Sequence, residues 1–128
     1  MTRESLVELV RTYFSGVDSK NIDQIFSTLT MDCRFSVETH GVELNGYKEI
    51  RGMFDRLWFR HSAVQHDNLR FVVDPAAGKI STQFRVVNTF NNGEKAYKSN
   101  CNFFTTRDRL FDTVAVYMAG ENTLVRGD

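Results

Sequence analysis

Apolar residues recur at helical spacing through the first half of the chain and at strand spacing through the second. Over residues 4–16, Leu6, Leu9, Val10, Tyr13, Phe14 and the following Val17 fall on one stripe, which predicts a helix that Gly16 and Asp18-Ser19 break. Asn21 can cap a second short helix with Ile22, Ile25, Phe26 and Leu29 on its inner face. From Asp32 to Glu38 the period is two, with Cys33, Phe35 and Val37 pointing one way and Arg34, Ser36 and Glu38 the other. Residues 39–44 form a loop or a short second strand. Asn45-Gly46 then caps a third helix whose buried stripe is Ile50, Met53, Phe54, Leu57 and Trp58. Strands are predicted over residues 64–74, 79–90, 95–106 and 110–118. The turn at 75–78, the hairpin signal Asn91-Asn92-Gly93 and the turn at 107–109 separate them. The tail, 120–128, has no clear period.

Helices first and strands afterwards predict an α+β fold, a curved, mostly antiparallel sheet wrapped around N-terminal helices with a pocket at its centre. In the last strand Phe111, Thr113, Ala115 and Tyr117 share one face, and Val114, Val116 and Met118 share the other with Asp112 interrupting. Apolar residues on both faces predict that the outer face is covered as well, by a second copy of the chain packed through the sheet.

The length of 128 residues fits one domain, 1–128, with a real core. Sixteen basic residues balance sixteen acidic ones, which removes any electrostatic case for nucleic acid or an anionic membrane. The short run 95–98 is no basic patch. Eleven phenylalanines suit a thick core or an apolar pocket. No stretch has the length of a membrane span, and the polar start, Thr2-Arg3-Glu4-Ser5, lacks the apolar run of a signal peptide. Cys33 and Cys101 fall inside strands and read as free thiols of a cytoplasmic protein. Neither a CxxC pair nor a Cys/His cluster suggests zinc.

Four phrases carry a resemblance: Val10-Arg11-Thr12-Tyr13 in the first helix, residues 32–37, Gly46-Tyr47-Lys48-Glu49-Ile50, and residues 103–109. In these phrases and in the order of its elements the chain resembles the nuclear transport factor two-like superfamily, with its cone-shaped α+β barrel. Its SnoaL-like and ketosteroid isomerase-like members include polyketide cyclases, dehydratases, an epoxide hydrolase and non-catalytic carriers. The resemblance implies a pocket rather than one reaction. In the isomerase pattern a carboxylate moves a proton while a tyrosine and a protonated aspartic acid donate to the developing oxyanion. The tyrosine falls on Tyr13. The aspartic acid falls on Asn102, whose amide can also donate. The base falls on Val37, which cannot move a proton.

A substitute base is sought nearby. Glu38 would turn inward if the strand bulged. His40 follows in the loop expected at the mouth, and an imidazole suits proton transfer near neutral pH. Phe54, Trp58, Phe104 and Tyr117, with Val37, are expected to shape the cavity. Tyr97, Cys101 and Phe103 look like the core face of their strand by composition, whereas the resemblance turns Asn100, Asn102 and Phe104 inward. His61 and His66 are five apart and are read as ligands of nothing. His66, Asn68 and Arg70 share a strand face opposite Leu69 and Phe71, which assigns His66 to the outer or subunit-interface side.

The expected activity is cofactor-independent acid–base isomerisation, cyclisation or dehydration of a hydrophobic, cyclic small molecule. Tyr13 and Asn102 would polarise an oxygen, and His40 or Glu38 would move the proton. The alternative is a non-catalytic dimer that binds a hydrophobic ligand or a protein, which Val37 at the base position favours.

Overall fold

The computed structural model describes residues 1–124. Helix α1 (Arg3–Asp18) starts where the Thr2 hydroxyl accepts the Ser5 N–H at 3.0 Å. It runs two residues beyond Gly16 instead of breaking there. An added Cβ at Gly16 would lie 2.9 Å from Ile25 Cγ1, so this glycine is where two helices touch rather than a stop. Helix α2 (Ile22–Phe26) is capped by the Asn21 side chain, which accepts the Gln24 N–H at 3.1 Å. Leu29 opens strand β1 (Leu29–Val37) rather than closing α2.

A 3₁₀ turn (Glu38–His40) and Gly41, at φ 65°, lead into β2 (Val42–Asn45). Helix α3 (Gly46–Arg60) is capped by Glu49, whose Oε1 accepts the Asn45 N–H at 2.7 Å; the Asn45 side chain makes no cap bond. Strands β3 (His61–Asp74), β4 (Lys79–Phe90), β5 (Lys95–Arg107) and β6 (Leu110–Tyr117) follow. All six strands form one sheet in the order β2-β1-β6-β5-β4-β3, with β1 parallel to β6 and the other pairs antiparallel. The apolar stripes of α1 and α3 meet the inner face of the sheet, where Leu6, Val10, Ile50 and Met53 bury against Phe35, Phe104 and Val114. No described helix is long and apolar enough to cross a membrane.

Two bulges decide which side chains reach the interior. In β3 the register shifts between Asp67 and Arg70, with Asn68 at φ 54°. Before it the even positions Val64 and His66 turn inward; after it the odd positions Leu69, Phe71 and Val73 pack on the core. Between β5 and β6 the register shifts at Thr105/Thr106, and Asp112 becomes the extra residue, its Oδ1 accepting from Thr105 Oγ1 at 2.5 Å. Phe111 is therefore buried with Val114 and Val116, while Tyr117 faces outward.

Candidate functional site: a cavity with a histidine–aspartate pair

Aromatic and aliphatic residues of α1, α3 and β4, among them Phe14, Val17, Phe54, Leu57, Phe84 and Val86, wall a narrow interior cavity of about 30 Å³. That volume has room for a water or two, so a cyclic molecule would fit only with the lining at Thr123 and Leu124 moved aside. Into these walls the sheet inserts polar groups. Alternation along β5 turns Lys98, Asn100, Asn102 and Phe104 to the inner face, all four buried. Asn100 and Asn102 line the cavity, whereas Phe104, expected there, packs in the core against Tyr13 and Phe111, and Lys98 lies in a surface pocket beside Ala119, Gly120 and Thr123. The resemblance thus assigned the strand's faces as the structure has them, and composition did not, because Tyr97 and Phe103 are exposed apolar residues. Asn88 joins from β4. The Oδ1 atoms of Asn88 and Asn102 are buried without a hydrogen-bond partner among the described residues. A buried carbonyl oxygen left unpaired costs free energy, so each of these two oxygens is a place for a hydrogen-bond donor such as an ordered water.

Tyr13 lines the same cavity from α1, its ring edge-on to Phe54 at 6.4 Å and to Phe104 at 5.7 Å. Burial first, and the nearby Cys33 second, hold its hydroxyl above the ordinary value of 10.0. It therefore stays a neutral phenol that can donate.

The group that sequence reasoning missed is His66. Its ring packs between Phe14, at 4.7 Å, and Phe84, at 5.4 Å, and lines the cavity. Asp18, the last residue of α1, takes both of its donors. The His66 backbone N–H donates to Oδ2 at 2.9 Å, and Nδ1–H donates to Oδ1 at 2.5 Å. Among the described residues Nε2 has no hydrogen-bond partner. His66 and Asp18 together also border an open surface groove with Arg11, Ser15 and Leu69, so the ring lies between cavity and groove and protons can reach the pair from solvent. The outward assignment of His66 failed because it carried one alternation through the bulge at Asn68. The signal was present: Val64 and Leu69 are an odd number apart, yet both are apolar.

The two expected bases lie elsewhere. Glu38 begins the 3₁₀ turn instead of bulging inward, and its carboxylate is 3.8 Å from Arg34 at the surface. His40 is exposed; its Nδ1 meets Thr39 Oγ1 at 2.9 Å and its Nε2 meets the Gly120 carbonyl at 3.1 Å. Tyr117, expected in the cavity, packs against Phe103 at 5.7 Å on the outer face, because the bulge at Asp112 reverses the strand. Val37, expected to shape the cavity, is instead fully buried in the core, pairing with Val42 and Val116, and is not among the residues that line it. Trp58 stands behind the wall, stacked on Phe54 at 5.6 Å and donating to the Val17 carbonyl at 3.2 Å.

No family model matches the sequence, and no curated protein matches it. Solved structures do. A candidate polyketide cyclase of Xanthomonas campestris pv. campestris superposes with a TM-score of 0.83 at 16% identity, over 90% of each chain. A protein of unknown function from Burkholderia pseudomallei, described as NTF2-like, gives 0.78 at 13% identity, over 96% of this chain and 93% of its own. TerC, co-crystallized with polyporic acid, gives 0.76 at 15% identity, over 88% and 89%. The chain has the nuclear transport factor two-like fold.

Proposed function

We propose that the chain is a cofactor-independent acid–base enzyme acting on a small hydrophobic, cyclic ketone or phenol, and that His66, oriented by Asp18, is its base. The carboxylate holds the neutral ring with its proton on Nδ1, so Nε2 presents a lone pair to the cavity. Nε2 takes a proton from carbon next to the ligand's carbonyl, and the electron pair passes to the carbonyl oxygen. Tyr13 and Asn102 donate to that oxygen as it becomes anionic, and Asp18 steadies the imidazolium. Returning the proton at another carbon gives isomerisation. Loss of a neighbouring hydroxyl gives dehydration, and attack of the enolate carbon within the same molecule gives cyclisation. The aromatic walls keep water from quenching the intermediate.

The observation that carries this reading is the aspartate-bound histidine sharing one cavity with Tyr13 and Asn102, a phenol and an amide NH₂ that can both donate. The similarity to a candidate polyketide cyclase and to TerC, which was crystallized with polyporic acid, supports the ligand class. We assign the protein as a dimer through the sheet: Val72, Ser81, Phe103 and Ala115 lie in register across four strands on the outer face, beside the exposed Tyr117. Free Cys33 and Cys101 suit a reducing, cytoplasmic compartment.

The test is exchange of the C1 protons of 2-tetralone in deuterium oxide, followed by NMR. Exchange faster than buffer with wild type and lost in His66→Gln supports the assignment. Equal exchange with the two proteins rules His66 out as the base, and a non-catalytic ligand carrier then becomes the better reading.

A further inference from the structure

Residues 118–124 do not leave the sheet after β6; they turn back over the cavity. Met118 is buried, and Thr123 and Leu124 complete the cavity lining. Five polar side chains hold this strap, the first being Thr39, whose Oγ1 accepts the Met118 N–H at 3.4 Å. Asn100 Oδ1 accepts the Ala119 N–H at 3.1 Å. Asn88 Nδ2 donates to Thr123 Oγ1 at 3.1 Å. His40 Nε2 meets the Gly120 carbonyl. The Lys98 ammonium donates to the Ala119 carbonyl at 2.8 Å and to the Glu121 carbonyl. Gly120 makes the bend at φ 70°, a conformation that favours glycine.

Lys98 is the unusual member. It is a cation on the inner face of a strand, 8% exposed, whose hydrogen bonds go to backbone carbonyls while the Glu121 charge lies near it. Removing the strap would leave the ammonium and the two amides at the mouth without partners, above an apolar floor. A ligand able to replace the strap must satisfy them, and an anionic oxygen does so for an ammonium better than a carbonyl does.

We infer that residues 118–124 form a displaceable gate over the cavity, and that Lys98, which latches it, is the recognition group for an anionic oxygen at the mouth end of an otherwise apolar ligand. This rests on the cavity being a ligand site, as proposed above, but not on His66 acting as a base.

Two fluorescent probes with one ring system test it: 8-anilinonaphthalene-1-sulfonate, which is anionic, and neutral N-phenyl-1-naphthylamine. Each is titrated into the full chain as wild type, Lys98→Met and Gly120→Val. Wild type is expected to prefer the sulfonate by about tenfold, the worth of one charge-assisted contact. Lys98→Met should reverse this, weakening the sulfonate while tightening the neutral probe as the latch loosens. Gly120→Val strains the bend and leaves the ammonium in place, so both probes should tighten and the sulfonate should stay preferred. Hydrogen exchange at the Ala119 amide should quicken in both variants. Probes that shift together in Lys98→Met overturn the recognition role. Unchanged binding in both variants, with or without faster exchange at Ala119, overturns the gate. Neither probe asks for proton transfer, so a gate that behaves as described beside 2-tetralone exchange that ignores His66 would leave the gate standing and remove the catalytic reading.

Discussion

Asp18→Asn changes one oxygen for an amide nitrogen at the point where α1 meets β3. Asp18 now accepts twice from His66, through Oδ2 from the backbone N–H at 2.9 Å and through Oδ1 from Nδ1–H at 2.5 Å. An asparagine has one acceptor. The backbone N–H cannot change its role, so the amide oxygen must stay there, and the NH₂ is left facing Nδ1. Two donors cannot meet; the ring proton therefore moves to Nε2, and Nδ1 becomes the acceptor. The geometry survives with the wrong tautomer. A hydrogen bond to a charged group contributes about 1.5–3 kcal/mol and a neutral one about 1, so the net loss of stability should be on the order of 1–2 kcal/mol. Catalysis should suffer far more, because the lone pair no longer faces the ligand: 2-tetralone exchange should fall on the order of 10²-fold or more. Long-range ¹⁵N–¹H correlation spectra of the His66 ring read the tautomer directly. The expected result is a proton on Nδ1 in wild type and on Nε2 in Asp18→Asn. A wild-type ring already protonated on Nε2, or one unchanged in the variant, would refute the reasoning even if activity fell.

Asn102→Leu removes a buried amide whose oxygen has no partner, so the melting temperature should hold or rise while phenol binding weakens more than tenfold; calorimetry and titration of the same sample check both halves. Asn68→Val puts a β-branched residue at φ 54°, and urea unfolding should show a loss of about 1–2 kcal/mol, with Asn68→Gly near neutral. Burial, with smaller contributions from Asp112 and Asp32, pushes the Cys33 thiol from 9.0 up to about 12. The folded state then holds a proton that the unfolded chain releases above pH 9, so this stabilisation is complete below pH 9 and is lost as pH rises toward 12; the slope of stability against pH over that window should be shallower in Cys33→Ala. Tyr117→Asp places a charge on the outer face of the sheet; if that face is the proposed dimer interface, sedimentation should show wild type as a dimer and the variant as a monomer.

Periodicity made the elements legible. The α1 and α3 stripes and the β4–β5 hairpin follow from spacing, because each buries one face against a common core. The site was legible only in part, for a reason confined to a few residues. Tyr13 and Asn102 came from the resemblance, and Phe54 stands in the cavity wall with them. His66 was assigned outward and Tyr117 inward by one mistake, since a bulge adds a residue and exchanges the faces of everything beyond it. Asn68 marked the first bulge: asparagine is scarce inside strands and tolerates a positive φ. Asp18, the partner of His66, lies 48 residues from it and shares no local pattern with it. The strap was illegible for another reason. It is held by side chains gripping backbone, and such contacts leave no period in the sequence.

The most direct test of the polar centre is a titration of 4-nitrophenol, a planar stand-in for an enolate, into wild type, His66→Gln and Asn102→Leu, followed by quenching of Trp58, the single tryptophan. Trp58 stacks on Phe54 in the cavity wall, so it reports binding there. Wild type should bind the dye as its yellow phenolate, with the proton passed to His66, and each variant should bind at least tenfold more weakly, His66→Gln without the yellow form. Equal binding by all three proteins would contradict the account and leave an apolar cavity with no polar centre.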